Sequence, residues 1–419
     1  LVNRLLMSIF PARHLPRLAL HDGLPQDCGT LLVTPVLLQS AGQVRHLVQQ
    51  LEVHAAANPD PMIRFGLLSD WVDAAEARVA GDDALLELAS GEIARLNAAH
   101  PVPAGEAPRF FLFHRQRRWN PQERCWMGWE RKRGKLEELN ALLLRGEPGS
   151  FLAGPHGTVA HPPGIRYVVT LDADTRLPLG AVAELVGIAA HPLNRPTLDP
   201  ASGRVVSGYG IVQPRVVPLL PRRGERSLYR DIVSGPSGMD PDAGAVSDVY
   251  QDVFREGIFT GKGLYDLEAF DRALRGRVPG NQVLSHDLLE SVYARAALAS
   301  DVECYEDFPS HAEAGAARLH RWTRGDWQLL PWLAGGRGRG IGLLNRWKLF
   351  DNLRRSLVPP ASVLVMCAAW VGGLSGGVAL AVVLAPALLP GLLAFLPRLV
   401  LARREHAAVP SQRAELLRV

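Results

Sequence analysis

The sequence predicts an α/β protein: a doubly wound mixed sheet flanked by helices, followed by an interfacial helix and an apolar helical hairpin. Three observations predict it. Short runs of Val, Leu, Ile and Phe alternate with longer segments of helical spacing, as in sheets whose strands are joined by helical crossovers. One of these runs, Tyr167-Val168-Val169-Thr170-Leu171, leads straight into Asp172-Ala173-Asp174. Finally, no charged residue occurs between positions 356 and 397.

The elements follow in order. Residues 30–35 read as a first strand and 43–58 as a helix. Residues 63–70 are a second strand that ends in Ser69-Asp70. Residues 83–99 are helical by the spacing of Leu85, Leu86, Leu88, Ile93 and Leu96. A third strand at 110–114 precedes a helix at 134–144; a fourth at 167–171 precedes a helix at 179–189. Residues 204–266 are richer in Gly, Pro and Ser and read as strands and loops, with helices returning from 285. The whole of 27–344 is expected to be one domain, with 1–26 as a flank that suits the inner end of an upstream membrane helix. No signal peptide is evident.

At 419 residues, with 47% hydrophobic and 21% charged, the chain can bury a large core. The net charge of +4 is spread through Arg-rich patches, which suits a phosphate substrate or an anionic membrane surface and not nucleic acid. Cys28, Cys125, Cys304 and Cys367 are far apart, which argues against a zinc ribbon or a disulfide framework. The apolar stretch is interrupted by Gly372-Gly373-Leu374-Ser375-Gly376-Gly377 and reads as two helices, 357–371 and 378–396, crossing a lipid bilayer as a hairpin. Arg354 and Arg355 before it, and Arg398, Arg403 and Arg404 after it, place both ends on the cytoplasmic side. Residues 345–356 mix Trp347, Leu349, Phe350 and Leu353 with Arg346 and Lys348, as a helix in the interface plane does. Residues 398–419 are read as a cytoplasmic tail leading into a further region of a larger multidomain chain.

Open α/β sheets bind ligands beyond the carboxyl ends of their strands. Asp172 and Asp174 fall there, and two carboxylates at i and i+2 are close enough to share Mg²⁺ or Mn²⁺ with a substrate diphosphate. Asp70 ends another strand at the same edge, as an acceptor for a nucleoside or as a helix N-cap. Glu130-Arg131-Lys132-Arg133-Gly134-Lys135 opens a helix with four cations, a further anion site or a solvated basic face. Ser285-His286-Asp287 precedes an apolar helix, where Ser285 or Asp287 serves as a cap or Asp287 as a base. Arg318, Arg321, Trp322 and Trp327 combine phosphate-binding forks with indole faces that stack on sugar rings, or pack a helix surface.

The order Asp70, Asp172-x-Asp174, Asp287, Arg321-Trp322, then an apolar hairpin resembles the membrane-embedded family 2 glycosyltransferases, whose pattern is D, D-x-D, [TS]-E-D and Q-x-x-R-W on a GT-A fold. His286 stands where that pattern has Glu, and Arg318 where it has Gln. With the strings WNPQERCWMGWERKRGKLEELN, VSDVYQDVFREGIFTGKGLYD and LHRWTRGDWQ, these departures resemble the glycosyltransferase domain of cyclic β-1,2-glucan synthases, family 84, over roughly residues 16–358.

The resemblance implies UDP-glucose as donor, a growing β-1,2-glucan as acceptor, inversion by one displacement, and residence in a bacterial inner membrane with the catalytic domain cytoplasmic. It implies Asp172 and Asp174 as ligands of Mg²⁺ or Mn²⁺, and Asp287 as general base. It further implies Asp70, Lys132, Arg318 and Arg321 at the donor, and Trp322, Trp327, Gly261 and Lys262 at the acceptor. A family 2 synthase of another β-glycan is the alternative. A haloacid-dehalogenase phosphatase needs Asp-x-Asp-x-Thr or Val, whereas Arg176 stands at that fifth position. A dead glucan-binding module would not be expected to keep Asp172, Asp174, Asp287 and Arg321.

Overall fold

The structure, a computed structural model, describes residues 6, 9–154, 157–219, 248–283, 286–307, 309, 311–334, 336–338, 340–373, 375–385 and 388. In chain order the strands are β1 (Gly29–Leu38), β2 (Ile63–Trp71), β3 (Phe110–Arg115), β4 (Arg118–Asn120), β5 (Cys125–Met127) and β6 (Ile165–Thr170). They continue as β7 (Thr175–Arg176), β8 (Thr197–Leu198), β9 (Val205–Ser207), β10 (Ile211–Pro218), β11 (Gly263–Asp266) and β12 (Ala296–Glu306). The helices are α1 (Ala41–Ala57), α2 (Asp82–Ala99), α3 (Arg131–Arg145), α4 (Ala181–Ala190), α5 (Val249–Phe254), α6 (Leu267–Leu274), α7 (Asp287–Ala294), α8 (Ala312–Gln328), α9 (Leu330–Leu333) and α10 (Leu343–Val371).

Eight strands form one mixed sheet in the order β3-β2-β1-β6-β11-β10-β12-β7. The four strands read from the sequence are β1, β2, β3 and β6, and they run parallel to one another. β11 is antiparallel to both β6 and β10, and β12 returns parallel to β10. β1 is where strand order reverses, with β2 on one side and β6 on the other. A crevice at such a reversal is where ligands bind in open α/β sheets.

Side chains alternate across the sheet with period two. Leu32 and Val36 of β1 pack with Val44, Leu47, Ile93 and Leu185 of α1, α2 and α4 on one face. Leu31 and Val33 pack with Leu136, Phe270, Leu289 and Leu349 of α3, α6, α7 and α10 on the other. Helix α1 starts where Ser40 accepts a hydrogen bond from the Gln43 N–H, a side-chain N-cap.

Helices are expected from residue 285 onward, but residues 296–306 form β12, despite the high helix propensity of Ala296, Ala297 and Ala299. Pairing with β10 from Ile211 to Pro218 overrides that local preference. The interfacial helix and the first helix of the predicted hairpin are one continuous helix, α10, with Pro359 and Pro360 inside it. Among the described residues no helix is long and apolar enough to cross a membrane. Residues 376–385 are helical, but about half of the predicted second hairpin helix and most of the apolar N-terminal segment lie outside the described residues.

Candidate active site

Leu171 extends β6 by donating its N–H to Val33 O at 3.1 Å, and the chain then turns through Asp172 and Asp174. β7 follows at once and pairs Thr175 with Glu306 and Arg176 with Tyr305 of β12. That pairing brings Glu306, 132 residues beyond Asp174, to the turn. Ligand oxygens of Asp172, Asp174 and Glu306 all lie within 4.8 Å of one another.

Three cations converge on these acids. Lys132, the second residue of α3, donates to Asp172 Oδ1 at 2.6 Å and to the Gly261 carbonyl at 2.8 Å. Lys262 Nζ lies 3.3 Å from Asp172 Oδ2 and 2.5 Å from Glu306 Oε2. Arg318 pairs with Glu306 and stacks 5.1 Å over the ring of Trp322. Burial favours the neutral form of Asp172, but Lys132 and Lys262 outweigh it and bring its pKa down to about 2. Asp174 behaves in the opposite way: burial first, then the charges of Glu306 and Asp172, raise its pKa. An acid under that pressure gains from a nearby hard cation, and an all-oxygen donor set suits Mg²⁺ or Mn²⁺. The residues therefore fit a divalent cation.

Asp287 also lies against Gly261. It is the first residue of α7, with His286 in the N-cap position, and neither side chain caps the helix. The capping reading of Asp287 is thereby set aside, and Ser285 lies outside the described residues. Asp287 Oδ1 is buried and, among the described residues, accepts no hydrogen bond. His286 turns its Nδ1 to Glu290 at 2.8 Å, with Asp287 Oδ1 at 3.4 Å. Burial would lower the His286 pKa, but Glu290 and then Asp287 hold it above its ordinary value.

Gly261 permits this contact. Its φ is +85°, and a Cβ there would lie 2.7 Å from Asp287 Oδ1. Gly261→Ala is expected to cost about 1–2 kcal/mol in backbone strain and to displace Asp287. Urea unfolding and turnover measured together check this; parent-like values in both would refute the close approach.

The other predicted residues are placed differently. Asp70 is 1% exposed, and both its oxygens are engaged by Arg115, at 2.8 and 2.9 Å, with Lys135 at 3.3 Å. Gly128 packs against this carboxylate so closely that a Cβ would overlap it. The four cations at the start of α3 do not form one anion site, because consecutive residues leave a helix in different directions. Lys132 alone of the four reaches Asp172. Arg131 pairs with Asp73, Arg133 with Glu130 and Glu137, and Lys135 with Asp70. Lys262 is 4% exposed and held by Asp172 and Glu306, so it does not face an acceptor as expected. Arg321 is exposed on α8, and Trp327 donates its indole N–H to Ser356 of α10 at 3.1 Å.

Glu306, Glu290 and Arg115 were missed. The available signal for Glu306 was the alternation Val302, Cys304, Glu306 leading off the end of a strand, masked by the alanines before it.

No family model matches the chain. Over 349 residues, 83% of its length, the sequence is 49% identical to cyclic beta-(1,2)-glucan synthase NdvB of Rhizobium meliloti (strain 1021). This chain is a homologue of one segment of that synthase. It spans 12% of the synthase's length. The resemblance drawn from the D-x-D, the His286 and Arg318 departures and the three long strings is borne out. Among solved structures, the galactosyltransferase LgtC in complex with donor and acceptor sugar analogs matches 64% of this chain and 72% of its own, at 12% identity and a TM-score of 0.25.

Proposed function

We propose that this chain is the glycosyltransferase unit of a β-1,2-glucan synthase, built on a GT-A-like fold. It transfers glucose from UDP-glucose to a growing β-1,2-glucan with inversion. The observation that carries this reading is the 49% identity to a cyclic beta-(1,2)-glucan synthase across 83% of the chain. The convergence of Asp172, Asp174, Glu306, Lys132 and Asp287 on one sheet edge supports it.

In this reading the acceptor hydroxyl loses its proton to a carboxylate oxygen of Asp287 as it attacks the anomeric carbon, and UDP leaves from the opposite face. Lys132 and Arg318 supply fixed positive charge where the leaving diphosphate gains negative charge. Mg²⁺ or Mn²⁺, held by Asp172 and Asp174 with Glu306 beside them, would serve as a Lewis acid for that charge. Arg321 adds charge on α8, and the exposed indoles of Trp322 and Trp327 offer faces to the glucan. Asp70 orients the nucleotide from the buried network with Arg115. The apolar end of α10 exposes Val363, Leu364, Trp370 and Val371 and rests against the cytoplasmic face of an inner membrane.

The test is UDP release from UDP-glucose with Mg²⁺ or Mn²⁺, followed by digestion of the product with linkage-specific glucanases. UDP release and a product cut by β-1,2-glucanase are expected. A product cut only by a glucanase of another linkage would assign the chain to synthesis of a different β-glycan. Asp174→Asn is expected to lose most turnover, with UDP binding weakened only when the divalent cation is present. Near-normal turnover in both Asp172→Asn and Asp174→Asn would sink the site assignment.

A further inference from the structure

Lys262 has a position that its expected role does not explain. Its ammonium lies between two of the three candidate cation ligands, 3.3 Å from Asp172 Oδ2 and 2.5 Å from Glu306 Oε2. A divalent ion shared by those oxygens would occupy the same space. A buried ammonium and a dication cannot both sit there, because their repulsion at such distances is several kcal/mol even at an effective dielectric of about 20. We propose that Lys262 is the resident counter-ion of the acidic cluster, and that a divalent cation enters only by displacing its ammonium from between Asp172 and Glu306. This rests on the assignment of Asp172, Asp174 and Glu306 as the cation ligands.

The surroundings supply both halves of the exchange. Without Lys262 the two carboxylates are not left bare: Asp172 keeps Lys132 at 2.6 Å, and Glu306 keeps Arg318. The cluster as it stands sets Asp172, Asp174 and Glu306 against Lys132, Lys262 and Arg318, so their formal charges balance. A dication entering this balanced group leaves excess positive charge. That excess is relieved when the ammonium moves to an anion, and the diphosphate of a nucleotide sugar is the anion the proposed reaction brings. The local backbone suits such a movement. Lys262 lies between Gly261, with φ at +85°, and Gly263, with φ at +139°, and its side chain is a flexible four-carbon stem. In this arrangement the lysine lowers the affinity of the empty site for free cations and gives cation entry a preference for the nucleotide-loaded state.

The experiment is a titration of the full chain with Mn²⁺ alone, in the absence of any nucleotide, following free Mn²⁺ by electron paramagnetic resonance. Lys262→Met is expected to bind Mn²⁺ at least about tenfold more tightly than the parent, since a repelling charge in contact with the site has gone. Lys262→Gln, which keeps a hydrogen-bond donor for Glu306, serves as the second variant should the methionine variant fold poorly, and is expected to tighten binding in the same direction. Adding UDP should strengthen Mn²⁺ binding by a larger factor in the parent than in either variant. Unchanged or weaker Mn²⁺ binding in the folded variants would overturn the role of Lys262 while leaving the cation site intact. A parent whose Mn²⁺ binding is indifferent to Asp174→Asn would overturn the site itself, and this proposal with it.

Discussion

Replacing Asp287 with asparagine is expected to lower turnover by about two to four orders of magnitude, the contribution of a positioned general base. UDP-glucose affinity and folding should remain close to those of the parent. The argument starts from the helix. Asp287 opens α7 but does not cap it, so asparagine removes no capping hydrogen bond. The loss to stability comes from the attraction between a carboxylate and a helix N-terminus, about 0.3–1 kcal/mol, and from the charge of Asp287 on His286 and Lys132. Asparagine also fits the space beside Gly261 that aspartate fills. What it lacks is an oxygen able to take a proton. Asp287→Ala should therefore match it in both turnover and stability, since neither variant loses a cap. Single-turnover kinetics with saturating UDP-glucose, alongside a urea melt, separate the two effects. An asparagine variant with unchanged turnover would move the base elsewhere. Of the next candidates, His286 and Asp252, Asp252 is the weaker, since its carboxylate accepts from the N–H groups of Arg13 at 2.8 Å and Asp248 at 3.1 Å.

The parallel half of the sheet and the first two acids of the cluster were legible because their signals are local. A run such as Tyr167 to Leu171 is apolar on both faces, as a strand covered on both sides must be, and Asp172 and Asp174 follow within the same turn. Asp287 was singled out through its place in a motif order. Glu306 was not, because its place depends on the antiparallel pairing of β7 with β12, a contact no local window contains. The direction of Lys262 was hidden for a similar reason. The Gly261-Lys262-Gly263 spacing shows where backbone is permissive, but the burial of the lysine follows from β11 being inserted between β6 and β10. The basic run at the start of α3 shows the limit of counting charges: Lys132 and Arg133 are adjacent in sequence, yet one meets Asp172 and the other Glu130 and Glu137.

Arg115→Met is expected to remove about 3–5 kcal/mol of stability, the usual cost of leaving a buried charge without its partner. The Arg115 side chain has no exposure and holds Asp70 with two hydrogen bonds, Glu138 at 3.4 Å and the Arg131 carbonyl at 3.2 Å. Methionine fills much of the volume and satisfies none of these acceptors. Lys135 would remain as the cation on Asp70, but burial first, and then repulsion from Arg115, bring its pKa down to about 8. A base whose folded pKa is depressed binds its proton more readily in the unfolded chain. In the parent, Lys135 therefore contributes stability that grows as pH rises from about 8 toward its ordinary value near 10.4. Removing Arg115 removes one cause of that depression, leaving burial and the charge of Lys132, so this gain with pH should shrink in Arg115→Met. Urea midpoints at neutral pH and near pH 10 measure both effects. Near pH 10, where Lys135 is neutral in the fold, the double variant Arg115→Met with Asp70→Asn should recover part of the loss, because it removes the stranded carboxylate along with its partner. A loss below about 1 kcal/mol in the single variant would mean the pair is no more than a solvated ion pair. Asp70 would then be free to act at the nucleotide independently of Arg115. If the stability loss is as expected and the folded fraction binds UDP like the parent, Asp70 belongs to the scaffold beneath the crevice and not to the nucleotide contact.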